Sequence, residues 1–183
     1  MTVFAGGVLD GEGAVRPAVD NGPVVAASVS PGSYSVVLSV ATWQHSPNPA
    51  IASPMRRICA AKVQILPDAV DIWRPARMSK NDDHPVPLGV PVDSGTASFF
   101  DFSARQWLGG LQRNDNHWAH ALDCMRRDLY ARFEDPNLTA SVVMFECGMG
   151  DGVYDLSLGL TKDGRIAEIV LDLELLSHSL GPL

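Results

Sequence analysis

Cys147–Leu176 reads CGMGDGVYDLSLGLTKDGRIAEIVLDLELL, and this stretch decides the class of fold. Val153–Leu160 and Arg165–Leu175 are runs of apolar and β-branched residues that predict two strands. Lys162-Asp163-Gly164 between them supplies the Asp-Gly turn that closes a tight hairpin. Ahead of the first run, Gly148-Met149-Gly150-Asp151-Gly152 is a corner where backbone shape or chemistry dictates residue identity. Val92–Asp101 (VDSGTASFFD) has the same character, with Asp, Ser and Gly leading into an apolar run.

Outward from these blocks the chain stays β-rich. Ala140–Glu146 predicts a strand. Pro23–Ser30 and Tyr34–Thr42 predict a hairpin across Ser30-Pro31-Gly32-Ser33, in which Pro presets φ and Gly admits positive φ. Arg57–Leu66 alternates Ile58, Ala60 or Ala61, Val63 and Ile65 against Arg57, Lys62 and Gln64, the period of a half-buried strand. Val70–Trp73 is a further short strand. The helical signal lies in 103–134, where Trp118, Leu122, Met125, Leu129 and Phe133 form one apolar stripe. Asn114 or Asp115 caps it, Asp135-Pro136 ends it, and Gly109-Gly110 breaks off a shorter helix over Ser103–Leu108. The expected class is α+β: an antiparallel sheet or sandwich with one main helical segment, about 103–134, packed on it. No internal repeat is visible.

At 183 residues the chain is expected to form a single domain over 1–183, with a loop-rich segment at 1–23 ahead of the main body. Apolar residues at 46% and charged residues at 19% are ordinary for a globular protein. A formal charge of −7 argues against general nucleic-acid binding, which needs clustered Lys and Arg. Three cysteines without CxxC spacing, and no signal-peptide pattern, predict reduced thiols in a cytoplasm. No apolar run is long enough to cross a bilayer.

The order of motifs resembles a bacterial family, the domain-of-unknown-function family 4241. The resemblance runs from Pro31-Gly32-x-Tyr34-x-Val36 through Arg57–Val63 (RICAAKV), Trp73-x-Pro75-Ala76 and Gly89-Val90-Pro91-Val92-Asp93-Ser94-Gly95-Thr96. It continues through Phe99, Asp101, Gly148-x-Gly150-Asp151-Gly152-x-Tyr154, Gly159-Leu160-x-x-Asp163-Gly164 and Asp172-Leu173. Residues 24–183 form the family-like core; the resemblance leads one to expect a longer N-terminal part than this sequence shows and a different helical insert. The resemblance implies a continuous fold and a bacterial origin, and it assigns no catalytic residues.

Asp93-Ser94-Gly95-Thr96 places a carboxylate beside a hydroxyl, but adjacent strand residues face opposite ways, so an Asx or ST turn is the expected role. The Gly148–Gly152 corner lacks the Lys-Ser/Thr and helix of a phosphate loop and the spaced oxygens of a calcium loop. Positive-φ glycines, with Asp151 bonded to backbone amides, are expected there. His117 and His120, with Asp123 and Cys124, have helical spacing that would suit a metal but are expected to flank the core stripe on the surface. Trp43, Trp73, Trp107 and Trp118 are expected as core anchors. Arg126-Arg127, Arg105 and Arg132 are expected on a solvated face balanced by Asp123 and Asp128.

With no nucleophile–base set and no cofactor fingerprint, the expected function is a non-catalytic protein-binding module, of which an immunity protein occluding a basic toxin is one version. Asp93, Ser94, Asp151 and Tyr154 would shape its contact edge. The alternative is a metal-dependent hydrolase gathering Asp93, Asp101 and Asp151 around a divalent ion.

Overall fold

The computed structural model describes residues 3–5, 8–9, 15–16, 29–30, 32–43, 54–76, 89–92, 95–101, 107, 115–135 and 140–174. Its strands are β1 (Val3–Ala5), β2 (Val8–Leu9), β3 (Val15–Arg16), β4 (Ser35–Trp43), β5 (Met55–Gln64), β6 (Ile72–Pro75), β7 (Gly89–Val92) and β8 (Thr96–Asp101). After the helix α1 (Asp115–Asp128) come β9 (Tyr130–Asp135), β10 (Ala140–Glu146), β11 (Gly152–Leu160) and β12 (Ile166–Asp172). Every pairing between these strands is antiparallel.

Three layers follow from which faces are apolar. One sheet runs β4-β5-β12-β11-β6, with β7 also paired to β11; a second runs β1-β8-β10-β9; β2 and β3 form a small ribbon. The first two sheets share a core in which Val63, Leu156 and Leu171 meet Ala97, Phe99 and Phe145. The rings of Phe99 and Phe145 are 5.5 Å apart. The other face of the second sheet carries Phe100, Val142 and Met144, on which α1 lays Ala121 and Met125. Because β8 and β10 are covered on both faces, β10 carries the continuous apolar run Val142–Phe145, and β8 buries Thr96 and Ser98 along with Phe99 and Phe100. This is the expected α+β sandwich with one main helix.

The helix is shorter than expected. Leu129 adopts φ 70°, which ends α1 after Asp128, and 130–135 is strand β9 rather than a last helical turn. Leu129 and Phe133 fit a helical stripe, but Ala131 and Phe133 also fit a period of two, and β10 supplies a partner for the extended form. Arg126 and Arg127 close the helix, where cations suit its dipole. Trp107 is helical; the rest of 103–108 lies outside the described residues, as do 23–28 and 31 of the first expected hairpin.

The described strands contain an internal repeat that the sequence reading missed. Hairpin β4–β5 pairs Ser35 with Gln64, Leu38 with Ala61 and Val40 with Ile58; β11–β12 pairs Asp155 with Asp172, Leu158 with Ile169 and Leu160 with Ile166. The registers correspond throughout, including a bulge at the same point: Ser39/Val40 leaves Cys59 unpaired, and Gly159/Leu160 leaves Ala167 unpaired. The bulge switches parity along β5, which is why Ile58, Ala61 and Val63 are all buried. The central pair β5–β12 matches Gln64 with Glu168 and Ala60 with Asp172, so a pseudo-two-fold axis passes between Lys62 and Val170. The bonds from Ile65 N to Ala167 O (2.8 Å) and from Leu173 N to Cys59 O (3.1 Å) obey the same symmetry.

Candidate functional site: a stitched corner and its groove

Each hairpin starts with Gly-x-Tyr. Tyr154 donates its hydroxyl to Gly150 O at 2.8 Å, and Tyr34 donates to Ser30 O, in each case four residues back. The rings cover the preceding glycines: a Cβ at Gly152 would lie 3.4 Å from Tyr154 Cζ, and one at Gly32 would lie 3.5 Å from Tyr34 Cζ. The second corner then gains a connection to the other sheet. Gly95 N–H donates to Asp151 Oδ1 at 2.7 Å, and Cys147 N–H donates to Gly95 O at 2.7 Å. Gly150 N–H closes the turn onto Cys147 O at 2.9 Å. Gly95 and Gly150 have φ of 63° and 90°, where a side chain would be strained, and a Cβ on Gly95 would sit 3.6 Å from Gly150 Cα.

Two groups at this corner, the Cys147 thiol and the Tyr154 phenol, are biased towards their neutral forms. Burial, then the nearby Asp151 charge, pushes the Cys147 thiol up to about 12, far from the thiolate that a nucleophile needs. Burial first, then Cys147, Glu174 and Asp151, raises the Tyr154 phenol.

Beside the turn lies a groove of about 350 Å³, walled by Arg57, Arg126, Glu146, Leu122, Met125 and Met149. Arg57 Nη1 is 3.7 Å from Glu146 Oε2, spanning the two sheets. Met149 stands at the lip, 53% exposed.

The structure therefore brings Asp151 and Tyr154 to one corner and joins the Val92–Asp101 block to it through Gly95. Asp93 and Ser94 lie outside the described residues. Asp101 pairs with Val3 at the far end of β8, about 20 Å along extended chain from Gly95. His117 and His120 are exposed on α1; His120 Nε2 lies 3.7 Å from Cys124 Sγ, and its ring meets the edge of Phe133. Among the described residues, no three His, Cys, Asp or Glu side chains are grouped to hold a metal. Arg126 pairs with Asp123 at 3.6 Å and Arg127 with Asp128 at 2.8 Å, the balanced face expected of them. Trp107 and Trp118 pack against the second core, but Trp73 is 49% exposed, so it is no core anchor; it lies over Gly159, where no Cβ intervenes. Sequence reasoning missed Arg57, Glu146 and Met149 as groove residues. Their one signal was an arginine at a half-buried strand position.

Fold and corner together define an α+β sandwich protein with a stitched glycine turn. A family model for DUF4241, described as a protein of unknown function, matches residues 11–171, and the chain belongs to that family. No curated protein and no solved structure matches it. No helix among the described residues is long and apolar enough to cross a membrane.

Proposed function

We propose that this chain is a protein-binding module whose contact edge is the Cys147–Gly152 turn and the groove beside it. One observation carries the reading: the polar groups that could do chemistry at the corner are engaged in shaping backbone. Asp151 accepts from Gly95 N–H, Tyr154 donates to Gly150 O, and the Cys147 thiol is buried and protonated. What that bonding builds is a fixed loop that holds Met149 out to solvent beside a groove. Exposed Met is a common contact residue because its side chain adapts to varied partners. The formal charge of −7 would speed capture of a basic partner, as an immunity-type role against a toxin in the cytoplasm requires.

Site-specific photocrosslinking tests this. A photoreactive residue at Met149 should give a discrete protein adduct in cells making the chain. The same probe at Val37, exposed on the outer face of the larger sheet, should not. Equal adducts from both positions, or none from 149, would refute the reading.

A further inference from the structure

We infer that the groove seats a partner segment bearing a carboxylate next to an apolar side chain, with Arg57 and Arg126 gripping the carboxylate; this rests on the protein-binding reading above. The internal repeat supplies a control. Arg57 precedes Ile58 and Arg165 precedes Ile166, so the two arginines hold the same place in the two hairpins. Arg165 is held by two carboxylates, Asp163 at 2.7 Å and Asp68 at 3.6 Å. Among the described residues Arg57 has one, Glu146 at 3.7 Å, and its other contact is a 3.5 Å bond to the Arg56 carbonyl. The arginine in the groove thus has room for the second carboxylate that its twin already holds.

Arg126 reaches the same groove from α1. Its bond to Asp123 is 3.6 Å long with both side chains about three-quarters exposed, a kind of pair that contributes little and exchanges readily. A carboxylate entering between the two guanidinium groups would meet planar donors suited to bidentate bonding. Leu122 and Met149 border that position and give an adjoining apolar side chain a place to lie. The negative charge of the whole molecule acts on a partner at long range, whereas seating is decided by these two arginines.

The test uses a phage-displayed random dodecapeptide library panned on the intact protein, on Arg126→Ala and on Arg165→Ala. Arg126 is exposed, so its variant keeps the fold. Peptides with Asp or Glu beside Leu, Ile, Phe or Met should be enriched on the wild type and on Arg165→Ala. A selected peptide should bind Arg126→Ala at least tenfold more weakly, and its Glu→Gln version should lose as much on the wild type. A consensus without acid, a consensus unchanged by Arg126→Ala, or no enrichment would overturn the inference. So would a dimer in sedimentation that the selected peptides dissolve, since the occupant would then be a second copy. A crosslink from position 149 alongside an acid-free consensus would sink this inference and leave the module reading standing.

Discussion

Hairpins β4–β5 and β11–β12 share a register and a bulge, yet their surroundings differ. The outer edge of β11 carries β7 at Gly152–Asp155 and β6 at Ser157–Leu160. Among the described residues no strand pairs with the outer edge of β4. Where the second hairpin has Asp151 the first has Pro31, and where the second has Gly159 the first has Ser39. What both halves keep, the Gly-x-Tyr corner and the bulge, serves the hairpin itself. What only the second half has, Asp151 on Gly95 and the glycine under Trp73, serves its attachment to other elements. Asp151 therefore belongs to the join, and the groove lies at that join.

The largest expected contrast concerns burial. Leu156 is 1% exposed, while its counterpart Val36 is only half-buried. Leu156→Ala should cost about 2–5 kcal/mol, because it leaves a cavity between the sheets. Val36→Ala should cost about 1 kcal/mol. Urea midpoints measure both, and equal costs would break the claim that β11 is held deeper in the core than β4.

Gly159 and Ser39 come next. A Cβ at Gly159 would lie 2.7 Å from Val70 Cγ2 and 3.0 Å from the Trp73 ring, so Gly159→Ala should cost about 1–3 kcal/mol and shift Trp73 fluorescence. Ser39 is exposed, and Ser39→Ala should stay within about 0.5 kcal/mol.

The seam at Cys147 should respond to alkali. Unfolded, the thiol ionises near its ordinary value of 9.0; folded, it keeps its proton up to about 12. Between these values the unfolded state binds fewer protons, so stability falls as pH rises, by at most about 1.4 kcal/mol per pH unit. The stabilisation is complete below about pH 9 and lost through about pH 12. Cys147→Ser should flatten the slope relative to wild type in urea melts from pH 8 to 11. An unchanged slope would mean that the thiol is already wet.

Much of this architecture was legible in the sequence. Ala140–Glu146 folds as a strand with the ends read from its pattern, and the Asp163-Gly164 turn closes β11 onto β12 through Thr161 N–H to Arg165 O at 2.9 Å. The role of Asp151 in bonding a backbone amide was also legible, because glycines around an acid in a strand corner leave it few other uses. Its partner was not, since the approach of Gly95 depends on how β8 lies beside β10. The repeat escaped notice for a related reason. Gly-x-Tyr, Leu38 with Leu158, and Arg-Ile recur, but the chain from Trp43 to Met55 is longer than that from Leu160 to Ile166. Only the register shows that they are equivalent.

The smallest contrast is also the sharpest, since it alters one hydroxyl in each half. Tyr154 is 3% exposed and its hydroxyl bonds a carbonyl of the stitched turn, so Tyr154→Phe should cost about 1 kcal/mol. The Tyr34 hydroxyl bonds Ser30 O in an exposed setting where water replaces it, so Tyr34→Phe should cost a few tenths of a kcal/mol, or about a third as much. The two variants differ in reach as well as size. Loss of the Tyr154 bond frees Gly150 O, and through the neighbouring Asp151 it should disturb the Gly95 amide in the other sheet, which an amide NMR spectrum resolves. Tyr34→Phe has no comparable link among the described residues and should move only resonances near residues 30–35. If both variants left Gly95 unmoved, the corner and the seam would be independent, and the groove would owe nothing to the tyrosine.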